Sequence, residues 1–133
     1  MTSPILPGAV HHLALTVTNV QRSCAFYTEI VGLQHVATVE PKAFLSNGSM
    51  LLALCPPPNK AISGDKFDEN RVGLDHISFT VGSRDDLERA AKFLGEKGVS
   101  HGEIKDLAGF QIYVLAFRDP DNIQVELTAP YSH

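Results

Sequence analysis

The sequence predicts an α+β fold made of two copies of one strand–helix–strand–strand–strand module. Three observations carry that expectation. A short run, His12-Leu-Ala-Leu-Thr-Val17, is echoed 64 positions later by His76-Ile-Ser-Phe-Thr-Val81. Both runs alternate apolar with small or polar residues, the period of a strand with one face on a core. Each is followed by a helical stretch and then by three further extended segments. At 133 residues, with 44% hydrophobic and 20% charged residues, the chain suits one globular domain with its own core and is far from a disordered composition.

In the first module, residues 9–55, Leu13, Leu15 and Val17 face the core, and His12, Ala14 and Thr16 face the other way. A helix is expected over about residues 20–31, with Val20, Cys24, Tyr27 and Val31 at helical spacing and Gly32 as its stop. Strands follow over about 35–40, 43–46 and 49–55, with Asn47-Gly48-Ser49 as a hairpin turn. Residues 56–72, opening with Pro56-Pro57-Pro58, read as a surface linker; the sharper alternative is a flap beside a cavity. In the second module, residues 73–129, Ile77, Phe79 and Val81 face the core, and His76, Ser78 and Thr80 the opposite side. Ser83 caps a helix whose first turn carries Asp85 and Asp86, and Leu87, Ala90, Ala91 and Leu94 form its buried stripe up to Gly98. Strands are expected over about 101–106, 111–118 and 123–128. A sheet covered by one helix keeps its other face free, so the two modules are expected to associate.

Composition excludes several function classes. A net charge of −4, a pI near 5.8 and the lack of any Lys/Arg run argue against a nucleic-acid partner. No run of eighteen apolar residues is present, so no membrane span is expected. Cys24 and Cys55 make no disulfide framework, and the N-terminus has no signal-peptide features. The expectation is a soluble, cytoplasmic protein.

The face turned away from the core is where chemistry is expected. In Asn122-Ile-Gln-Val-Glu126-Leu127, Ile123, Val125 and Leu127 face inward, which puts Gln124 and Glu126 on the face that carries His76. His12, His76 and Glu126 thus form a candidate two-histidine, one-carboxylate set, which leaves coordination positions open on a divalent ion. The bland alternative is a pair of hydrogen-bonded strand histidines and a solvated carboxylate. The set depends on strand phase, because a slip of one residue turns the ligands outward. His11 has the opposite phase and reads as a packed or exposed side chain; His35 and His101 read as surface residues, and His133 carries no role.

With these segments in view, the sequence resembles the vicinal oxygen chelate superfamily: glyoxalases, bleomycin-resistance proteins, extradiol dioxygenases and fosfomycin-resistance transferases. The resemblance rests on His12-Leu-Ala-Leu-Thr-Val17, Ser23-Cys-Ala-Phe26-Tyr27 leading to Val31-Gly32-Leu33, Leu74-Asp75-His76-Ile77, and Phe117-Arg-Asp119-Pro120-Asp121-Asn122-Ile-Gln-Val-Glu126-Leu. It implies two βαβββ modules forming a concave half-barrel, usually in a homodimer. It also implies metal ligation by His12, His76 and Glu126, with a divalent ion (Fe, Mn, Zn, Ni or Co) as cofactor.

The implied activity is that of a metal-dependent lyase or dioxygenase (an oxidoreductase) binding its substrate through two adjacent oxygens. The alternative is a metal-free ligand-binding protein of the bleomycin-resistance type. One departure stands out. Glyoxalase I has a second glutamate on the fourth strand, and the matching residue here is Ala53, so the remaining set looks more like the dioxygenase and fosfomycin-transferase sites. Tyr113 is a candidate acid–base residue if its strand phase turns it into the cavity together with Gln111. The opposite phase fits the pattern equally, and Arg118 is expected to be structural.

Overall fold

Alternation in the two echoing runs becomes β1 (His12–Thr16) and β5 (Ile77–Thr80). The computed structural model describes residues 3–131, and the chain divides into two compact units, Met1–Ala61 and Ile62–His133. The boundary falls inside the segment expected to link the modules.

In the first unit, β1 is followed by α1 (Val20–Glu29), β2 (Gln34–Val39), β3 (Lys42–Ser46) and β4 (Leu51–Cys55). The sheet order is β1-β4-β3-β2, with β1 parallel to β4 and the other pairs antiparallel. Asn19 caps α1, its Oδ1 accepting the Arg22 N–H at 3.0 Å. The helix buries Ser23, Phe26 and Tyr27, whereas Val20, Cys24 and Val31 are only half-buried. The face is therefore rotated from the expected one: Phe26 and Tyr27 offer more apolar area than Val20 and Cys24, and the small Ser23 lets the helix approach the sheet. The Asn47–Ser49 turn forms as expected. Asn47 Oδ1 accepts the Ser49 and Met50 N–H groups, both at 3.0 Å, while Gly48 takes a φ of 95° that disfavours any side chain.

In the second unit, β5 leads into α2 (Arg84–Glu96), β6 (Lys105–Leu107), a single 3-10 turn, β7 (Ile112–Arg118) and β8 (Gln124–Pro130). The order is β5-β8-β7-β6, again with one parallel pair, β5 with β8. Both units therefore repeat one topology. Ser83 caps α2, and Leu87 and Leu94 are its buried anchors beneath a sheet face carrying Leu115, Phe117, Val125 and Ala129. The sixth strand is shorter than expected: His101 makes only an isolated bridge to Phe117, and the ladder resumes at Lys105.

The segment after residue 62 is held to the β7–β8 turn. Arg118 donates from both terminal nitrogens to the two Glu69 carboxylate oxygens, at 2.9 and 2.8 Å. Phe67 N–H donates to Asp121 O and Asn122 Nδ2 to Phe67 O. The turn itself is locked by buried Asp119, whose Oδ1 accepts the Asp121 and Ile123 N–H groups at 2.8 and 2.9 Å. Arg118 is thus a structural residue. No described helix is long and apolar enough to cross a membrane.

Candidate metal centre

Register fixes which side chains share the face away from the helix in the second unit. Ser78 of β5 pairs with Glu126 of β8, and Glu126 pairs with Ala116 of β7. His76 immediately precedes β5 and comes to the Glu126 side of the sheet. Its Nε2 lies 3.5 Å from Glu126 Oε1. Its other nitrogen, Nδ1, lies 2.8 Å from Asp75 Oδ1. A carboxylate only accepts, so this contact calls for a proton on Nδ1, and a neutral ring would then carry its lone pair at Nε2.

The carboxylate is supported as well. Thr128 Oγ1 donates to Glu126 Oε1 at 3.3 Å and is itself 2.5 Å from Ser78 Oγ. Asp75 is tied to β8, with Gln124 Nε2 reaching its Oδ1 at 3.1 Å and its carbonyl at 3.3 Å. Beside the pair runs a groove of about 360 Å³ lined by Lys105, Val114, Ala116, Arg118, Gln124 and Glu126, with the 100–103 segment at one side. At its edge the Arg118 guanidinium holds the Glu69 carboxyl down to about 2, far below the usual carboxylate range.

The donor set suits a divalent ion. Two ligands each about 2.1 Å from an ion lie about 3.0 Å apart at a right angle and about 3.4 Å apart at the tetrahedral angle. The observed 3.5 Å between His76 Nε2 and Glu126 Oε1 is close to the second value. The third candidate, His12, is in the first unit at the start of β1, exposed, with its ring edge-on to His11 and the two Nδ1 atoms 2.9 Å apart. Among the described residues, no group of three or more His, Cys, Asp or Glu is assembled to hold an ion.

The first sheet also shows what replaces the carboxylate there. Ala14 pairs with Ala53 as Ser78 pairs with Glu126, and Ala53 pairs with Phe44 as Glu126 pairs with Ala116. Ala53 therefore occupies the fourth-strand place equivalent to Glu126, with an aromatic ring beside it instead of a small neighbour.

Tyr113 does not reach the groove. It pairs with Ala129, three residues from Glu126 and so on the opposite face of β8. There the Arg84 guanidinium sits 4.9 Å from its ring centroid and the Tyr131 ring 4.8 Å away. The strand phase left open by the pattern is the helix-facing one, and Tyr113 takes no part in the candidate site. Tyr131 donates to the Asp106 carboxylate, which pushes its phenol up to about 12. His35 contacts Ala37 O and Thr38 Oγ1, His101 Nδ1 contacts Gly102 O, and both are exposed; His133 lies outside the described residues.

The contacts of three side chains escaped the sequence reading: those of Asp75, of His11 (read only as packed or exposed) and of Glu69. The first two carried a usable signal, since both stand immediately before a repeated histidine, 64 positions apart. Glu69 carried none, because its segment has no periodicity.

The chain is similar to several proteins over most of its length. It is 31% identical over 132 residues to YwkD of Bacillus subtilis (strain 168), covering 92% of this chain and 98% of that one. It is 29% identical over 118 residues to the metallothiol transferase FosB of Staphylococcus haemolyticus (strain JCSC1435), covering 89% and 81% of the two chains. Among solved structures, a glyoxylase/bleomycin resistance protein/dioxygenase domain from Frankia sp. EAN1pec superposes with a TM-score of 0.77 at 32% identity, over 96% of this chain and 95% of that one. The two βαβββ units are those of this glyoxalase fold. The profile of one family matches residues 9–127, and the chain belongs to that family, the Glyoxalase/Bleomycin resistance protein/Dioxygenase superfamily.

Proposed function

We propose that this protein is a metal-dependent enzyme in which His12, His76 and Glu126 hold one divalent ion and a small substrate binds through two adjacent oxygens. The observation that carries this reading is the 3.5 Å approach of His76 Nε2 to Glu126 Oε1, with Nδ1 already occupied by Asp75. When bound, the ion would polarise the two substrate oxygens and stabilise the negative charge that develops on them. Glu126 and the two imidazoles would hold it, and the groove beside Glu126 would orient the rest of the substrate.

Ala53 supplies no base, so a mechanism that needs a second carboxylate on the fourth strand is disfavoured. Transfer or oxygenation on a three-ligand centre fits better, and the similarity to a metallothiol transferase favours the same reading. Catechols, thiohemiacetals and fosfomycin with a thiol are the substrates to assay.

Metal analysis tests the proposal. Protein purified without added metal and then titrated should take up close to one divalent ion per chain, and His76→Ala and Glu126→Ala should each abolish the uptake. The pair's geometry also suits an imidazolium bridging two carboxylates, in a metal-free binder. Uptake unchanged in both variants would put the ion elsewhere and overturn the proposal; no uptake by the native protein, with ligand binding indifferent to chelator, would favour that rival.

The proposal includes a homodimer. Mixing His12→Ala with His76→Ala chains shows how the ligands are assembled. Uptake regained in the mixture puts them on two chains; no gain puts them on one.

A further inference from the structure

Each candidate ligand histidine is contacted at Nδ1 by the side chain immediately before it. Asp75 Oδ1 lies 2.8 Å from His76 Nδ1, and His11 Nδ1 lies 2.9 Å from His12 Nδ1. His11 and Asp75 stand at equivalent places in the repeat, 64 positions apart, so the same device occurs in both units with different chemistry. We propose that Asp75 and His11 are positioning residues, each fixing the following histidine in the Nδ1–H tautomer so that Nε2 is its free donor atom. The inference rests on the metal reading above for its purpose, though not for its geometry.

Adjacent residues on a strand normally point to opposite faces, so a contact between neighbours needs a local departure from the strand. Asp75 and His76 precede the first residue of β5, where that departure is available. Gln124 then holds the Asp75 carboxylate from β8, the strand that also carries Glu126, so ligand and orienting group are referred to one strand. His11 is the residue before β1 and has the same freedom. Between two imidazole nitrogens at 2.9 Å one must donate and the other accept. His12 Nδ1 is then the donor and His11 Nδ1 the acceptor. Outer hydrogen bonds of this kind orient a ligand ring, and their loss typically weakens metal binding 10–100-fold. The two units then differ in kind: His76 meets a carboxylate and His12 a second imidazole.

The experiment uses the full chain, metal-free and ¹⁵N-labelled at histidine, at a pH where the rings are neutral. Long-range ¹H–¹⁵N correlation reads which ring nitrogen carries the proton. In the native protein both His12 and His76 should be Nδ1–H. Asp75→Ala should move His76 towards Nε2–H, Asp75→Asn should restore Nδ1–H through its amide oxygen, and His11→Phe should release His12 alone. Zinc titration should show about 10–100-fold weaker binding in Asp75→Ala, with most of the loss recovered in Asp75→Asn.

Both positions are exposed, and the dispersion of the same spectra reports folding. Native-like tautomers in Asp75→Ala and His11→Phe would overturn the inference, even if His76→Ala abolished uptake and so upheld the metal reading. A tautomer shift together with zinc uptake indifferent to His76→Ala would uphold the positioning role and overturn the metal reading.

Discussion

Ser23 and Ala53 show how much a single small residue decides here. Ser23 is fully buried on α1, and its hydroxyl has no hydrogen-bond partner among the described residues. A buried donor without a partner costs about 1–3 kcal/mol, so Ser23→Ala should leave the melting temperature unchanged or raise it, as calorimetry would show. A clear loss of stability would mean that the hydroxyl has a partner. Ala53, with Phe44 beside it, keeps the first sheet free of the carboxylate that the second sheet carries at Glu126. The strand phase of Glu126 was legible because alternation is a local property of extended backbone. The phase of Tyr113 was not, because Ile112-Tyr-Val-Leu-Ala-Phe117 is apolar or aromatic on both sides and the pattern has no contrast.

The elements carry the next predictions. Both helices begin on a side-chain cap, and Ser83→Ala should cost about 1 kcal/mol in chemical denaturation by removing the acceptor for Asp86 N–H. The Glu69–Arg118 pair holds the 62–72 segment to the β7–β8 turn. Glu69 has its carboxyl depressed in the folded protein, so the pair's contribution is complete above the unfolded value near 4.5 and is lost as pH falls towards about 2. Hydrogen exchange should therefore show the Phe67 amide losing protection across that window, and Glu69→Gln should show less protection already at pH 7. The reading of this segment as a linker came from its composition. Its attachment was invisible because the contact joins residues 49 apart in sequence with no periodic signal between them.

At the scale of the whole molecule, the repeat is the organising fact. Two units repeat one strand order, and the place that Glu126 holds in the second is held by Ala53 in the first. Metal uptake lost in His12→Ala as well as in His76→Ala, measured by metal analysis, is the expected outcome if both units serve one ion. A His12→Ala variant binding metal as tightly as the native protein would confine the centre to the second unit.

The sequence by itself determined the two-module architecture, the strand phase of Glu126 and the family. Periodicity and caps act over a few residues, and the echo 64 positions apart needs no coordinates to be seen. Only the tertiary structure decided that Asp75 and Gln124 brace His76, that Arg118 clasps Glu69 and that Tyr113 belongs to the helix face. Those contacts depend on strand register and side-chain direction, which a one-residue shift reverses while leaving the hydrophobic content of the chain unchanged.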